Sequence, residues 1–157
     1  MTDIAIELVP RATDEVRQLL TELDDVLGAE YPPEQRHGLK IDVLFEPHIR
    51  FFVARLDGAA VGCGGVALFR DFAELKRMYV RDGVRGRGVA DAILRRIEAA
   101  TRETGRDVLR LETGDRQLAA MRFYERSGFR KCPVFGSYAA MTPHAIATSV
   151  FFEKKLT

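Results

Sequence analysis

Val80-Arg81-Asp82-Gly83-Val84-Arg85-Gly86-Arg87-Gly88-Val89-Ala90 joins an apolar, strand-like run to the start of an amphipathic helix pattern. Gly86 and Gly88 allow the backbone to come close to a ligand, because glycine has no Cβ atom. The first N–H groups of a helix have no partner within that helix, and they attract anions. The stretch therefore predicts a phosphate-binding turn between a strand and a helix.

Length and composition predict a single domain that spans residues 1–157. The chain is 46% hydrophobic and 30% charged, which suits one globular unit with one sizeable core. No apolar run approaches the roughly 20 residues of a membrane-spanning helix, and the start lacks a secretory signal pattern. We therefore expect a cytoplasmic protein with no membrane partner.

Cys63 and Cys132 are isolated, which is typical of reduced thiols.

Charge is unevenly distributed along the chain. Residues 1–73 contain 7 Lys and Arg against 13 Asp and Glu, a balance of −6, whereas residues 74–131 contain 15 against 9, a balance of +6. The basic segment around the glycine turn suits a small polyanionic ligand, and the acidic segment favours a cationic partner. Solvated helix faces explain the same distribution equally well.

Hydrophobic periodicity predicts an opening strand and helix followed by three strands. Thr13 or Asp14 can cap the helix. Asp57-Gly58 is typical of the tight turn of an antiparallel hairpin. The region Gly28–Pro47 is interrupted by prolines, and we expect a short second helix and irregular connections there. The predicted strands are Ile4–Val9, Phe51–Leu56, Ala59–Phe69 and Ala73–Val80, and the apolar stripe of the helix is Val16, Leu19, Leu20, Leu23 and Leu27.

The second half of the chain predicts helices that alternate with strands. A helix follows the glycine turn and stops near Gly105, and a second one spans Gln117–Ser127 before Gly128. A strand-helix-strand unit of this kind has parallel strands. The remaining predicted strands are Val108–Glu112, Phe129–Cys132 and Ser149–Leu156. The long loop Pro133–Thr148 is a candidate functional segment, and its His144 is a candidate for lining a substrate pocket.

Two common phosphate-binding patterns do not fit the glycine turn. A Walker turn has Lys and then Ser or Thr after its second glycine, whereas Gly88 is followed by Val89 and Ala90. A dinucleotide-binding turn needs a third glycine where this chain has Asp91, and the preceding strand belongs to a hairpin region. Neither histidine nor cysteine spacing matches a metal site, so we expect no metal.

The chain resembles the GNAT superfamily of acyl-CoA-dependent N-acetyltransferases in two motifs. Arg85-Gly86-Arg87-Gly88-Val89-Ala90 is similar to the pyrophosphate-binding pattern of that family. Ala120-Met121-Arg122-Phe123-Tyr124-Glu125-Arg126-Ser127-Gly128-Phe129 is similar to its helix with an aromatic pair and a closing Gly-Phe. The resemblance implies an α+β fold: a mixed, mostly antiparallel central sheet flanked by helices.

The resemblance also implies a reaction, in which an amine attacks acetyl-CoA directly in a ternary complex without an acyl-enzyme. It places Tyr124 at the sulfur of CoA, as a hydrogen-bond donor or acid for the departing thiolate. It places Glu74 as a general base, which often acts through water. An alkyl amine with a pKa of ~10.4 is mostly protonated at neutral pH, so its proton needs a route. An exposed Glu74 and a core Tyr124 are the structural alternatives.

Further residues are implied for binding of acetyl-CoA. The strand that ends at Val80 splays from its neighbour in the family, and the backbone of Met78, Tyr79 and Val80 is implied to bind the pantetheine arm. The amides of residues 85–90 are implied to hold the pyrophosphate, with added charge from Arg85 and Arg87. Gln117 occupies a position where the family often has Asn. The sequence also departs from the family in having Asp82-Gly83, where many members have proline.

Three functions therefore remain open: an N-acetyltransferase, a catalytically inactive CoA-binding or sensing module, and a nucleic-acid or protein-binding domain. We favour the first, with a small-molecule or peptide amine as acceptor and no nucleic-acid partner. Binding through phosphate contacts would instead weaken steeply with salt and ignore CoA. A homodimer is possible, with Ser149–Leu156 as the strand that pairs across it.

Overall fold

A seven-stranded mixed sheet forms the centre of the computed structural model, which describes residues 3–157. The strands lie in the order β1-β2-β3-β4-β5-β7-β6, and only β4 and β5 are parallel neighbours. They are β1 (Ile4–Leu8), β2 (Ile49–Leu56), β3 (Ala59–Leu68), β4 (Ala73–Val80), β5 (Val108–Gly114), β6 (Arg130–Lys131) and β7 (Ser149–Lys155). The predicted α+β class with a mostly antiparallel sheet is confirmed.

Three α-helices flank the sheet: α1 (Asp14–Glu30), α2 (Val89–Glu103) and α3 (Leu118–Arg126). The Thr13 hydroxyl accepts a hydrogen bond from the Val16 N–H (3.2 Å) and caps α1, as predicted. Within residues 3–157, no helix combines the length and the apolar character needed to cross a membrane.

The prediction of a short second helix in Gly28–Pro47 is wrong. This region contains two single 3-10 turns, Pro33–Gln35 and Val43–Phe45, and otherwise irregular backbone. Helix α1 ends just before Tyr31-Pro32-Pro33, because a residue that precedes proline disfavours the helical conformation. Proline also lacks the N–H group that would continue a helix.

The helices cover opposite faces of the sheet. On one face, Leu19 of α1 is fully buried against β2 and β3. On the other face, Ile93 and Ile97 of α2 share a core with the region around α3. Gly64 of β3 permits this close approach, because a Cβ atom there would lie 2.8 Å from Ile93 Cγ2. The sheet therefore positions the start of α2 directly beside the end of β4.

The centre of the sheet opens where β4 and β5 separate. Their only paired positions are Ala73 with Leu109 and Glu74 with Arg110, so the edge of β4 beyond them has no strand neighbour on that side. A bulge in β4 places two residues, Arg77 and Met78, opposite the single residue Gly64 of β3. The family resemblance implied this separation, and it creates the cleft described below.

Candidate active site

A cavity of about 580 Å³ lies along the open edge of β4 and the glycine turn that follows. Of the ten residues predicted to bind acetyl-CoA, only Arg87 is not part of the wall, and its side chain is exposed. The other nine are Met78, Tyr79, Val80, Arg85, Gly86, Gly88, Val89, Ala90 and Gln117. The structure therefore brings together residues that come from β4, the turn, α2 and the start of α3.

The glycine turn has the geometry of an anion cradle. Gly86 and Gly88 have φ angles of +82° and +83°, a region that side chains with a Cβ rarely adopt. Gly88 is the N-cap of α2, and no side chain caps the helix. The amides of Gly88, Val89 and Ala90 donate no backbone hydrogen bond to any residue between 3 and 157. These amides are thus available to a phosphate group.

Two arginines that the sequence analysis did not select also line this cavity. Arg116 lies in the connection between β5 and α3, and Arg126 lies in the last turn of α3. The Arg85 side chain is largely exposed and pairs with Asp82 at 3.0 Å. No motif marks Arg116 or Arg126, because their place on the same wall as the turn depends on the position of α3 in the folded protein.

A second cavity, of about 130 Å³, extends from the first into the cleft between β4 and β5. Its wall includes Leu75, Lys76 and Arg77 of β4 and Glu112 and Thr113 of β5. The residues common to both walls are Leu23, Met78, Gln117, Ala120 and Tyr124. The two cavities therefore meet in front of Tyr124.

Tyr124 is almost fully buried, yet it lines both cavities. Its ring packs edge-on against Phe129, with the ring centroids 5.6 Å apart, and α3 and the sheet hold it in place. Burial raises the pKa of the hydroxyl above its usual range, and the negative charge of Glu112 adds to this effect. The hydroxyl is therefore protonated at neutral pH and can donate a hydrogen bond into the cavities.

Glu74, the predicted general base, is buried and lines neither cavity. Its carboxylate accepts a 2.6 Å hydrogen bond from the Tyr138 hydroxyl and a 3.3 Å hydrogen bond from Lys76 Nζ. Lys76 Nζ also donates to the Tyr138 oxygen (2.9 Å) and to the backbone oxygen of His37 (3.2 Å). Within this group, Lys76 and His37 reach the wall of the smaller cavity.

Glu112 is the carboxyl group that lines the smaller cavity. Burial raises its pKa, while the hydroxyl of Ser149, which donates a 2.7 Å hydrogen bond, and the nearby charges of His37 and Lys76 oppose that rise. The sequence analysis missed Glu112 because it treated Val108–Glu112 only as a strand. Alternation with the buried Leu109 and Leu111 was the available signal that its side chain has a different environment.

The long loop Pro133–Thr148 lines neither cavity itself, but it contacts residues that form the wall of the smaller cavity. The Gln35 side chain donates to the backbone oxygen of His144 (2.9 Å), and His37 Nε2 lies 2.7 Å from the backbone oxygen of Ala145. The His144 ring is exposed, lies 3.4 Å from Glu34 and lines neither cavity. The loop thus supports the wall of the smaller cavity through its backbone and Tyr138, and not through the His144 ring.

Cys63 is buried and donates from its thiol to the backbone oxygen of Arg77. Burial raises the pKa of this thiol to about 12, so it is not ionised at neutral pH. Neither Cys63 nor Cys132 lines the two cavities. The geometry therefore gives the cysteines no place as nucleophiles beside Tyr124.

Residues 14–129 match the sequence model of the Acetyltransferase (GNAT) family. The chain belongs to the GNAT family. A relative in Azospirillum brasilense, named IAA acetyltransferase, is 39% identical over 158 residues, which cover 99% of this chain and 100% of the relative. As a GNAT protein, the chain is an acyl-CoA-dependent N-acetyltransferase.

Solved structures share the fold of this GNAT protein over almost its full length. A candidate acyl-CoA N-acyltransferase from Klebsiella pneumoniae is 29% identical, has a TM-score of 0.77, and is matched over 98% of both chains. A GNAT acetyltransferase from Elizabethkingia anophelis, solved with acetyl-CoA bound, has a TM-score of 0.70 over 98% of both chains. Because the latter is 17% identical, it is evidence of shared fold alone.

Proposed function

We propose that this GNAT protein transfers an acetyl group from acetyl-CoA to the primary amine of a small acceptor, by direct attack while both substrates are bound. One observation carries the proposal: the larger cavity, beside the glycine turn, and the smaller cavity, between β4 and β5, meet at Tyr124. Two adjoining sites can hold two reactants in contact, which removes much of the entropic barrier to reaction. No acyl-enzyme intermediate is needed.

The larger cavity is the site for the donor. The free amides of Gly88, Val89 and Ala90 bind the pyrophosphate, with added positive charge from Arg116 and Arg126. The unpaired edge of β4 binds the pantetheine arm by backbone hydrogen bonds. Acetyl-CoA supplies a thioester whose acyl carbon accepts the amine nitrogen. The match of residues 14–129 to the GNAT acetyltransferase family supports this choice of donor.

Tyr124 stabilises the departing thiolate with its hydroxyl. A free Tyr has a pKa of about 10 and a thiol of about 8.5, so complete proton transfer to the thiolate is already unfavourable. Burial raises the pKa of Tyr124 further. The hydroxyl therefore acts as a neutral hydrogen-bond donor as the carbon–sulfur bond breaks, and the thiolate leaves stabilised rather than fully protonated.

Glu112 accepts the proton of the attacking amine. It lines the smaller cavity with Tyr124, and a carboxyl group whose pKa is raised is better matched to a base role near neutral pH. Glu74 was the base predicted from the family resemblance. Since its carboxylate binds Tyr138 and Lys76 behind the cavity wall, we assign Glu74 the role of holding Lys76 in position.

The test is an acceptor panel with initial-rate kinetics. Purified protein is mixed with acetyl-CoA and a series of primary amines, and release of free CoA thiol is followed against a control without amine. Direct transfer predicts amine-dependent release and intersecting double-reciprocal plots. Parallel plots would contradict direct attack. Tight binding of acetyl-CoA without amine-dependent release across the panel would favour a CoA-binding module without transfer activity.

A further inference from the structure

Cationic groups dominate the wall of the smaller cavity. Arg36, Lys76 and Arg77 line it, together with the titratable ring of His37, whereas Glu112 is the one carboxylate that residues 3–157 contribute to it. Burial raises the pKa of this carboxyl group. An excess of positive groups in a confined cleft attracts anions more strongly than the same groups do in open solvent.

The counter-ions of these cations lie behind the wall. Lys76 Nζ pairs with Glu74 at 3.3 Å, and Arg77 Nη2 pairs with Asp24 at 2.8 Å. Neither Glu74 nor Asp24 lines the smaller cavity. The carboxylates of both ion pairs therefore lie outside the wall of the smaller cavity, whereas Lys76 and Arg77 are part of it. Arg36 makes no ion pair with any of residues 3–157, although its charge contributes to lowering the pKa of the exposed Glu34.

Two of these guanidinium groups have an unused donor. The Nε atoms of Arg36 and Arg77 are buried, and neither has a hydrogen-bond partner within residues 3–157. Buried donors without a partner are rare in native proteins, because each one loses its hydration without replacement. Nε belongs to the planar donor edge with which arginine binds carboxylates.

The backbone of Arg77 is held in an unusual conformation. Its φ angle is +57° in the bulge of β4, which is energetically costly for a residue with a side chain. The side chain is only 5% exposed. Gly38 lies against the guanidinium so closely that a Cβ atom there would collide with Arg77 Nη1. Strain and close packing together fix the position of one charged group at the cavity wall.

Size and the remaining wall restrict the acceptor further. A cavity of about 130 Å³ is close to the ~150 Å³ that holds a benzene molecule in an engineered protein. Leu23, Leu27 and Leu75 provide apolar surface on the same wall. This combination suits a compact molecule with one anionic group, one amine and a short uncharged side chain.

We infer that the acceptor is an amino acid whose carboxylate binds Arg36 and Arg77 and whose amine lies toward Tyr124 and Glu112. The inference rests on the proposed acetyl transfer, because it names the substrate class of that same site. It is opposite to the cationic partner that the charge of residues 1–73 favoured. That acidic excess is partly used in ion pairs, such as Asp24 with Arg77 and Glu22 with Arg81.

The test compares amino acids with their own carboxamides. Glycine, alanine, leucine, methionine and phenylalanine are each assayed as the free acid and as the amide, with acetyl-CoA and detection of free thiol. The amide has the less basic amine, so intrinsic reactivity at neutral pH favours the amide. We expect the free acid to have a kcat/KM about 10- to 100-fold higher for at least one pair, which is the scale of a hydrogen bond to a charged group.

Variants assign the effect to the two arginines. Arg36→Gln and Arg77→Gln are expected to raise KM for the amino acid about 10-fold or more and to leave the Kd of acetyl-CoA unchanged. Arg95→Gln, on the exposed face of α2, is the matched control and is expected to change neither constant. Because Arg77 also supports the bulge, Arg36→Gln in the irregular connection before β2 tests the inference even if Arg77→Gln does not fold.

Calorimetry separates this inference from the proposed function. The same acids and amides are titrated into the protein with CoA present. Binding of acids but not amides, without acetyl transfer, would support the carboxylate site and contradict the transferase proposal. Acetylation of amides as efficiently as acids would overturn the carboxylate site and leave the transferase proposal intact. Absence of both acid binding and acid acetylation would overturn the inference as well.

Discussion

The hydroxyl of Tyr138 donates a 2.6 Å hydrogen bond to the buried carboxylate of Glu74, across 64 positions of sequence. Lys76 Nζ contacts both groups. All three polar side chains are buried, and each satisfies the others, as buried polar networks must. The contact also anchors the Pro133–Thr148 loop to β4, beside the smaller cavity.

Replacement of Tyr138 by Phe should therefore destabilise the fold. The change keeps the ring and removes the hydroxyl, so that buried Glu74 and Lys76 each lose a hydrogen-bond partner. We expect the free energy of unfolding to fall by about 1–3 kcal/mol, measured by urea denaturation. Tyr79→Phe is the comparison, because its hydroxyl bonds to Glu22, which is more exposed and is also held by Arg81. An equal loss of unfolding free energy in Tyr138→Phe and Tyr79→Phe would contradict the argument that burial of the partners sets the cost.

Replacement of Tyr124 by Phe should reduce kcat by about 100-fold or more, the usual scale for loss of one hydrogen-bond donor that stabilises negative charge in the transition state. The ring contacts with Phe129 and Phe152 are retained, so stability and the Kd of acetyl-CoA should not change. Steady-state kinetics and calorimetry with acetyl-CoA measure the two effects. A variant with wild-type kcat would remove Tyr124 from the mechanism.

Activity should depend on the ionisation of Glu112. The proton acceptor works only when it is deprotonated, and its pKa is raised by burial. We therefore expect kcat/KM to decline as the pH falls through a pKa above the usual carboxyl range of about 4.3. Glu112→Gln should lower kcat about 100-fold and abolish this acidic limb. Glu74→Gln should retain the acidic limb of the kcat/KM profile. Loss of that limb in Glu74→Gln would instead support Glu74 as the base.

Glu112 should also carry a stability cost at neutral pH. Its folded-state pKa is above the unfolded value, so the stability that it contributes is complete below the unfolded pKa of 4.5 and is lost as the pH rises through the folded pKa. Glu112→Gln removes that loss. Relative to the wild type, the variant should gain unfolding free energy as the pH rises above 4.5. A difference that is constant with pH would show that the carboxyl is not perturbed.

Replacement of Gly88 by Ala should weaken the donor site. The φ angle of +83° costs an L-residue about 1–2 kcal/mol, and relaxation of the turn would move the free amides. We expect the Kd of CoA to rise about 10-fold or more, measured by calorimetry. Gly83→Ala is the matched control, since Gly83 lies in the same connection, has open space around it and has no positive φ angle. Equal effects of the two changes would argue against a special role of the turn.

Local signals were enough to predict most of the elements. The cap at Thr13, the Asp57-Gly58 turn and the glycine turn before α2 each depend on interactions among a few neighbouring residues, and the structure contains all three. The short second helix was wrong because prolines and irregular backbone occupy that region. Its actual role, as part of the wall of the smaller cavity, depends on contacts with distant residues.

The sequence by itself determined the proposed donor site of this protein: the turn, its free amides, and the position of Tyr124 on a helix are local patterns. Only the tertiary structure decided the acceptor side. Whether Glu74 or Glu112 lines the cavity depends on where β4 and β5 separate and on how the Pro133–Thr148 loop covers Glu74. The charge of that cavity depends on which acidic side chains lie behind the cations, and distances between segments far apart in sequence set that arrangement.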